Sequence, residues 1–444
     1  MPSTMDDSMP SRISPDCPQD IRDVLYHAWE HDLSELKKLL DIQGNASTQD
    51  PRTGETPLHA TIRACGPADP AYAASSEDAK HTPEEPCVEK AKQILQELFL
   101  AGAIWNDTDF NNETPGCVAL RLGRQSLYEI CVDAGVRAEL LFALMESSTT
   151  LSLDSGGDKE DEAAAPAAED MEVDVEEAEA EEAKPEGEAA TEEALAENDG
   201  VNTAAYLQSS LQYTPSKLLD SNLNGVMMSW ETDIMRRSVS ALLAPSLTPG
   251  KRILNLGFGM GIIDGLFAET KPSKHHIIEA HPSVLEHASK PDSAFGPTWE
   301  AKAPQPGAYK ILPGKWQDVV PGLVAQGETY DAIYFDTFGE DYGELKMFLM
   351  EFVPDLLDYE GSFSFFNGLG ADRQVCYDVY TKVVEMHAAE AGFDVDWEDI
   401  AVDMTGLAEE GKGEWEGVRR RYWTLESESS SFDCYVLGAG LNID

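Results

Sequence analysis

KRILNLGFGMGIIDGLFAETKPSKHHIIEAHP, residues 251–282, decides the fold. Ile253, Leu254 and Leu256 read as a short buried strand. Gly257, Gly259 and Gly261 then make a tight turn that brings the backbone close to a ligand with no Cβ in the way. Ile262, Ile263, Leu266 and Phe267 follow at helical spacing, so donors at a helix start face whatever lies over the glycines. His276-Ile277-Ile278 is a second strand. Glu279 ends it, about twenty residues past the turn, where an acid in such folds accepts hydrogen bonds from ribose hydroxyls. The order of these parts points to a nucleoside-bearing cofactor.

Spacing narrows the choice of cofactor. A dinucleotide site wants G-x-G-x-x-G, and Ile262 stands in the last place here. The observed G-x-G-x-G is the usual pattern of S-adenosylmethionine-dependent methyltransferases, in which no pyrophosphate needs cradling. One position departs from that pattern. Two residues before the first glycine, where such enzymes often carry an acid, stands Asn255, expected to accept from the methionine amino group without charge.

Outward from this stretch, residues 201–444 alternate strand and helix patterns. Strands are expected at Tyr309–Leu312, Tyr330–Phe335 with Asp336 at its end, and Gly361–Phe366; helices at Asp233–Leu243, Phe348–Leu357 and Val375–Ala391. Tyr422–Leu425 and Asp433–Leu437, joined by a serine-rich turn, suit a terminal hairpin. The pattern predicts an α/β fold, a doubly wound, mainly parallel sheet with ligands at the carboxyl ends of the strands. On residues alone, Glu231 reads as an ordinary first-turn helix acid. Asp336 ends an apolar strand among Tyr334, Phe335 and Phe338, which is harder to explain as a cap.

The front of the chain differs. Residues 1–19 are polar and proline-punctuated, and disorder is expected there. Over 20–147 a repeat emerges: Gly54-Glu55-Thr56-Pro57-Leu58-His59-Ala60 is close to the ankyrin signature, and Asn112-Glu113-Thr114-Pro115-Gly116-Cys117-Val118-Ala119 is a worn copy. Their offset of about 58, less a polar insertion of roughly 25 between Gly66 and Val88, approaches the ankyrin period of about 33. Leu36, Leu39 and Leu40 before Gly44, and Leu95, Leu98, Phe99 and Leu100 before Gly102, mark second helices. So short an array must lean on something else to bury its faces. His59 is expected to bond loop backbone.

Residues 148–203 form an acidic linker; 151–200 hold twenty Asp or Glu against two lysines. Such a segment cannot offset its ordering entropy by burial and reads as a spacer or an arm for basic partners. The methyltransferase-type unit then spans 204–444.

The whole chain has 444 residues and a net charge of -50, which argues against naked nucleic acid and for basic partners. No run is apolar enough for a membrane span, and residues 1–20 lack a signal peptide's pattern, so a cytoplasmic protein, present also in the nucleus, is expected. Seven scattered cysteines without a C-x-x-C pair read as free thiols, and the dispersed histidines offer no metal cluster.

Five ordered strings carry a resemblance: VMMSWETDIM (226–235), ILNLGFGMGI (253–262), HIIEAHP (276–282), LPGKWQDV (312–319) and YDAIYFDTF (330–338). Together they resemble guanidinoacetate methyltransferase, and still more the fungal type IV protein arginine methyltransferases, where ankyrin-like repeats precede such a domain. The resemblance implies that Gly257, Phe258, Gly259, Met260, Gly261 and Ile262 hold the methionine part of S-adenosylmethionine. It further implies that Glu279 and Ala280 meet the ribose, and that His281, Gly314 and Lys315 border the adenine. Tyr206 and Met227 resemble lid residues. Glu231 and Asp336 would grip a guanidinium group, with Asp336 also beside the cofactor. The implied substrate is arginine in a basic protein, a large-subunit ribosomal protein by resemblance, methylated on the delta nitrogen by a monomeric enzyme. Two other readings stay open: a small-molecule guanidino methyltransferase, and an inactive ankyrin–methyltransferase scaffold.

Overall fold

The computed structural model describes residues 12–68, 85–154, 203–244, 248–291, 293–368, 370, 373–401, 407, 413–419 and 431–438. In the front half, α1 (Gln19–Trp29), α2 (Leu33–Leu40), α3 (Pro57–Arg63), α4 (Pro86–Leu100), α5 (Pro115–Arg121) and α6 (Gln125–Asp154) pack side by side. Two turns repeat the same chemistry. Asp50 accepts the N–H groups of Arg52 and Thr53, and Asp109 those of Asn111 and Glu113. Gly54 and Asn112 follow with φ of 69° and 61°. Thr56 and Thr114 then cap α3 and α5, each with proline at the first helical position. His59 Nε2 bonds the Glu113 carbonyl at 2.9 Å, the loop-backbone role expected of it, and burial lowers its pKa to about 4, so the ring stays neutral.

Two expectations change here. Residues 12–18 are docked rather than disordered, because the Arg12 guanidinium pairs with the buried Glu55 and Asp109 and the Ser14 N–H donates to Asp50. Leu100 ends α4 where a second helix was expected, with its side chain 84% exposed. Helix α6 runs on to Asp154, past the expected linker boundary. Residues 1–11, 69–84 within the polar insertion, and 155–202 of the acidic stretch lie outside the described residues.

Past the linker, α7 (Thr203–Gln208) precedes a small antiparallel sheet of β1 (Gln212–Tyr213), β2 (Lys217–Leu219) and β3 (Gly225–Met228). A 3-10 turn, Ser229–Glu231, leads into α8 (Thr232–Leu242). The main sheet uses β4 (Arg252–Leu256), β5 (Lys274–Glu279), β6 (Tyr309–Pro313), β7 (Tyr330–Phe335), β8 (Leu357–Phe365), β9 (Asp394–Ala401) and β10 (Ser431–Gly438). Its order is β6-β5-β4-β7-β8-β10-β9. The first five are parallel; β10 runs antiparallel to both β8 and β9. The strand Asp433–Leu437 therefore pairs with 395–399, while 422–425 of the expected hairpin lies outside the described residues. Crossover helices include α9 (Ile262–Glu269), α10 (Pro282–Ala288), α11 (Trp316–Ala325) and α12 (Gln374–Glu390).

Because the chain runs outward from β4 to β6 and then returns to β7, the order reverses between β4 and β7. A crevice opens at such a reversal, beyond the carboxyl ends of the strands. The loops after β4 and β7 touch there: the Asp336 N–H donates to the Leu256 carbonyl at 2.9 Å. A Cβ on Gly257 would lie 2.0 Å from the Asp336 carbonyl oxygen, and Gly257 has φ 92°. Gly257→Ala is thus expected to cost about 3 kcal/mol or more from overlap and backbone strain together, read as a lowered thermal midpoint.

The front half leans on α12. A Cβ on Gly135 would lie 2.6 Å from Val379, and one on Gly116 equally close to Val375. The Tyr128 hydroxyl donates to Asp378 at 2.5 Å, and Arg373 donates to Asn112 at 2.6 Å. One apolar cluster runs from Leu36 and Leu58 through Val132 and Val379 to Phe348 and Phe363.

Candidate active site

A concave pocket lies at the crevice, open on one side to solvent. Of the expected residues, Tyr206, Met227, Gly257, Gly259, Glu279, Ala280, Gly314, Lys315 and Asp336 line it. Each arrives by its own local logic. Glycines 257, 259 and 261 all have positive φ, which only glycine adopts without strain, and α9 starts directly after them. Glu279 is the last residue of β5, and its carboxylate accepts the Phe258 N–H at 2.9 Å and the His281 N–H at 2.6 Å. Burial raises its pKa, against those same backbone donors, which favour the charged form. Gly314 and Lys315 follow β6, and the Gly314 N–H donates to the Glu279 carbonyl.

Phe258, Met260, Gly261, Ile262 and His281 stand behind that wall. The Phe258 ring packs in an apolar cluster with Ile277 and Phe295. The Met260 N–H donates to Met227 Sδ at 3.1 Å, and Gly261 caps α9. His281 bonds the Tyr206 carbonyl through Nε2 and caps α10 through Nδ1. It thereby secures α7, whose Tyr206 ring packs on His281 and Phe338 with centres 4.8 and 4.9 Å apart. The Thr203 hydroxyl ties the start of α7 to the Gly339 carbonyl at 2.8 Å.

Asn255 does not line the cavity, and its Oδ1, the atom expected to accept, is buried without a partner among the described residues. The residue is fully buried beneath the turn, and its Nδ2 donates to the Gly257 carbonyl at 2.8 Å and to Asp264 at 2.9 Å. Asp264 also meets His275 Nε2 at 2.9 Å. An acid at 255 would place two carboxylates together here; the amide instead braces the glycine turn from below.

Glu231 and Asp336 do converge. Glu231, 7% exposed, accepts the Met228 N–H at 3.1 Å. Its pKa is pushed well above the usual carboxylate range, first by burial and next by the Asp336 carboxylate. Asp336 is half-buried at the cavity wall, its pKa raised to about 7 by burial and then by Asp264. Glu231 stands behind the lining residues, so the pair forms one edge of the site with Asp336 in front. Thr203, Gln317 and Glu340, which the sequence did not single out, complete the wall together with Trp316 and Phe338. Trp316 Nε1, Gln317 Nε2 and the Thr337 hydroxyl all donate to Glu340, which pins the loop after β7 to the start of α11. Among the described residues, no group of histidines, cysteines and acids is arranged for a metal ion.

Comparison with known proteins follows the same line. The guanidinoacetate N-methyltransferase family model matches residues 203–394. Protein arginine N-methyltransferase 2 of Gibberella zeae is 61% identical, covering 96% of this chain and 95% of its own. The protein of that name from Neurospora crassa is 57% identical over 95% of this chain and 97% of its own. Among solved structures, the O-methyltransferase TomG from Streptomyces achromogenes is similar over 48% of this chain and 82% of its own, at 15% identity and a TM-score of 0.31. On the near-complete match to the two fungal relatives, the chain belongs to the protein arginine N-methyltransferase 2 family.

Proposed function

We propose that the chain transfers a methyl group from S-adenosylmethionine to the delta nitrogen of an arginine side chain in a basic protein. The observation that carries this reading is the Asp336 carboxylate on a cavity floored by glycines and walled by Glu279, with the Glu231 carboxylate close behind it. The family resemblance supplies the delta position and the ribosomal substrate. It also supplies the reading of the front helices as ankyrin-like units and of 148–203 as an acidic arm toward a basic partner. A monomeric enzyme of the cytoplasm and nucleus is part of the same proposal.

The lining residues fit this cofactor. Both Glu279 oxygens are held by backbone N–H groups at the cavity wall, which orients the carboxylate toward a pair of ribose hydroxyls. The glycine turn leaves backbone exposed for the amino-acid part, while Gly314, Lys315 and Phe338 border the far end. Bound there, the cofactor supplies an electrophilic methyl on a sulfonium.

The chain's own residues manage the acceptor. Guanidinium has a pKa above about 12, so it arrives charged, with its nitrogen lone pairs delocalised. Two carboxylates match its planar N–H forks, hold positive charge on the terminal nitrogens and free electron density on the delta nitrogen. The delta N–H proton passes to Asp336 as the N–C bond forms and the C–S bond breaks; the product keeps its positive charge. Rate enhancement then comes mainly from alignment of nucleophile, methyl and leaving sulfur.

A pH dependence follows. Below about 7 Asp336 holds a proton in the free enzyme and cannot pair with a cation. Glu231 lies near the Asp336 and Glu414 carboxylates, and Asp336 lies near Asp264. kcat/KM for the arginine substrate is expected to fall as pH drops through neutrality, while cofactor affinity changes less. A flat profile between pH 6 and 8 (about one unit on either side of the Asp336 value) would count against the assignment. The reaction itself is tested by incubating the protein with labelled S-adenosylmethionine and a cell extract, then locating the methyl by fragmentation mass spectrometry. Label on a terminal nitrogen would correct the delta position; label on small guanidino compounds alone would favour the small-molecule reading.

A further inference from the structure

Residues 413–419 lie beyond the 203–394 stretch that matches the guanidinoacetate family, yet they close on the turn that carries Glu231. Glu414 Oε1 accepts from the Ser229 hydroxyl at 2.8 Å, and Oε2 from the Trp230 N–H at 3.2 Å. Glu231 takes the nearby Met228 N–H, and the Ser229 N–H donates to the Ser216 carbonyl, so two carboxylates and one carbonyl hold the donors of this short turn. The segment is held from three sides. Trp415 packs on Trp230 with ring centres 5.9 Å apart, and Val418 shares an apolar cluster with Met228, Trp230 and Ile234. Lys217 of β2 donates through Nζ to the backbone carbonyls of Glu414 and Glu416, and the Arg419 N–H donates to the Leu223 carbonyl.

We infer that Glu414 is a positioning residue of the acceptor site: through Ser229 and Trp230 it fixes the turn that aims the Glu231 carboxylate at the substrate guanidinium. The inference rests on the reading of Glu231 as a guanidinium-gripping acid. Two physical consequences separate it from ordinary packing. Removing the Glu414 carboxylate leaves the Trp230 N–H and Ser229 hydroxyl without that acceptor, so the turn relaxes and Glu231 moves with it. A misplacement of about 1 Å in a gripping group costs on the order of 100-fold. The second consequence is electrostatic. Glu231 faces three groups, the Asp336 carboxylate, the Glu414 carboxylate and the Met228 N–H; the Glu414 charge is one cause of its raised pKa. Neutralising Glu414 therefore lets Glu231 ionise at lower pH.

The test uses the full chain, S-adenosylmethionine and a basic arginine-containing peptide, with Glu414→Ala, Glu414→Gln and Glu231→Gln compared. Glu414→Ala is expected to raise KM for the peptide by about tenfold or more, with the cofactor dissociation constant unchanged. Glu414→Gln keeps an oxygen for Ser229 and should recover much of that loss, while the part of the acid limb of kcat/KM set by Glu231 moves to lower pH. Packing alone would not move that limb. An unchanged peptide KM in Glu414→Ala, or an unmoved limb in Glu414→Gln, overturns the inference while an inactive Glu231→Gln leaves the gripping role standing. A fully active Glu231→Gln instead removes the gripping role, and the inference with it.

Discussion

Asp336→Asn and Glu231→Gln are each expected to lower methyl transfer by on the order of 10³-fold while cofactor affinity changes by less than about tenfold. Each amide keeps the shape of its acid and loses the charge that grips a guanidinium. Glu279, the glycine turn and Lys315, which line the same cavity and are proposed to hold the cofactor, are untouched by either change. Stability should move the other way. Asp336 is held protonated in the fold up to about pH 7, whereas the unfolded chain releases that proton near pH 4. Between those values the native state binds the extra proton, so the contribution of this group to stability falls as pH rises. Asn at 336 escapes that loss. The variant should therefore melt no lower than the parent at pH 8, and its advantage should vanish near pH 4. A variant that keeps full activity, or one that is dead because it is unfolded, would refute the assignment.

Removing the front half carries the other large effect. From the sequence, deletion of residues 1–150 is expected to impair use of a protein substrate more than cofactor binding. The packing changes that expectation. Val375 and Val379 of α12 are buried and lie against Gly116 and Gly135 of the front half. Exposing two such valines costs up to about 3–6 kcal/mol, a large part of the roughly 5–15 kcal/mol that holds a folded domain together. Deletion is expected to lower the thermal midpoint sharply and to abolish cofactor binding and protein methylation together. A truncated chain that melts at the parent temperature and still binds cofactor would show that the sheet-bearing half stands alone.

What could be read in advance was local. Strand β4, its glycine turn, α9, β5 and Glu279 form one continuous stretch whose spacing alone discloses the cofactor class. The end of β7 was legible because an acid among aromatic residues is hard to explain otherwise. What escaped depends on residues far apart in the chain. Glu340 gathers Trp316, Gln317 and Thr337 only after two loops meet. Glu414 reaches Ser229 from the other end of the domain. Gly116 and Gly135 give no helical periodicity to read, since their role is to be flat where another helix arrives. Asn255 shows a different limit: its Nδ2 is taken up by the turn carbonyl and Asp264, while Oδ1, the atom expected to accept, is buried without a partner among the described residues. Arg12 shows the long-range limit again, because a polar segment reads as loose until its buried acids are found.

The abutment of the Gly257 backbone on the Asp336 carbonyl has a thermodynamic corollary. Donor seat and acceptor seat share one piece of main chain, so neither can shift without the other. Any factor by which occupancy of the first alters affinity for the second must then be returned in full. A single contact between peptide groups is where such coupling would pass, with no moving domain required.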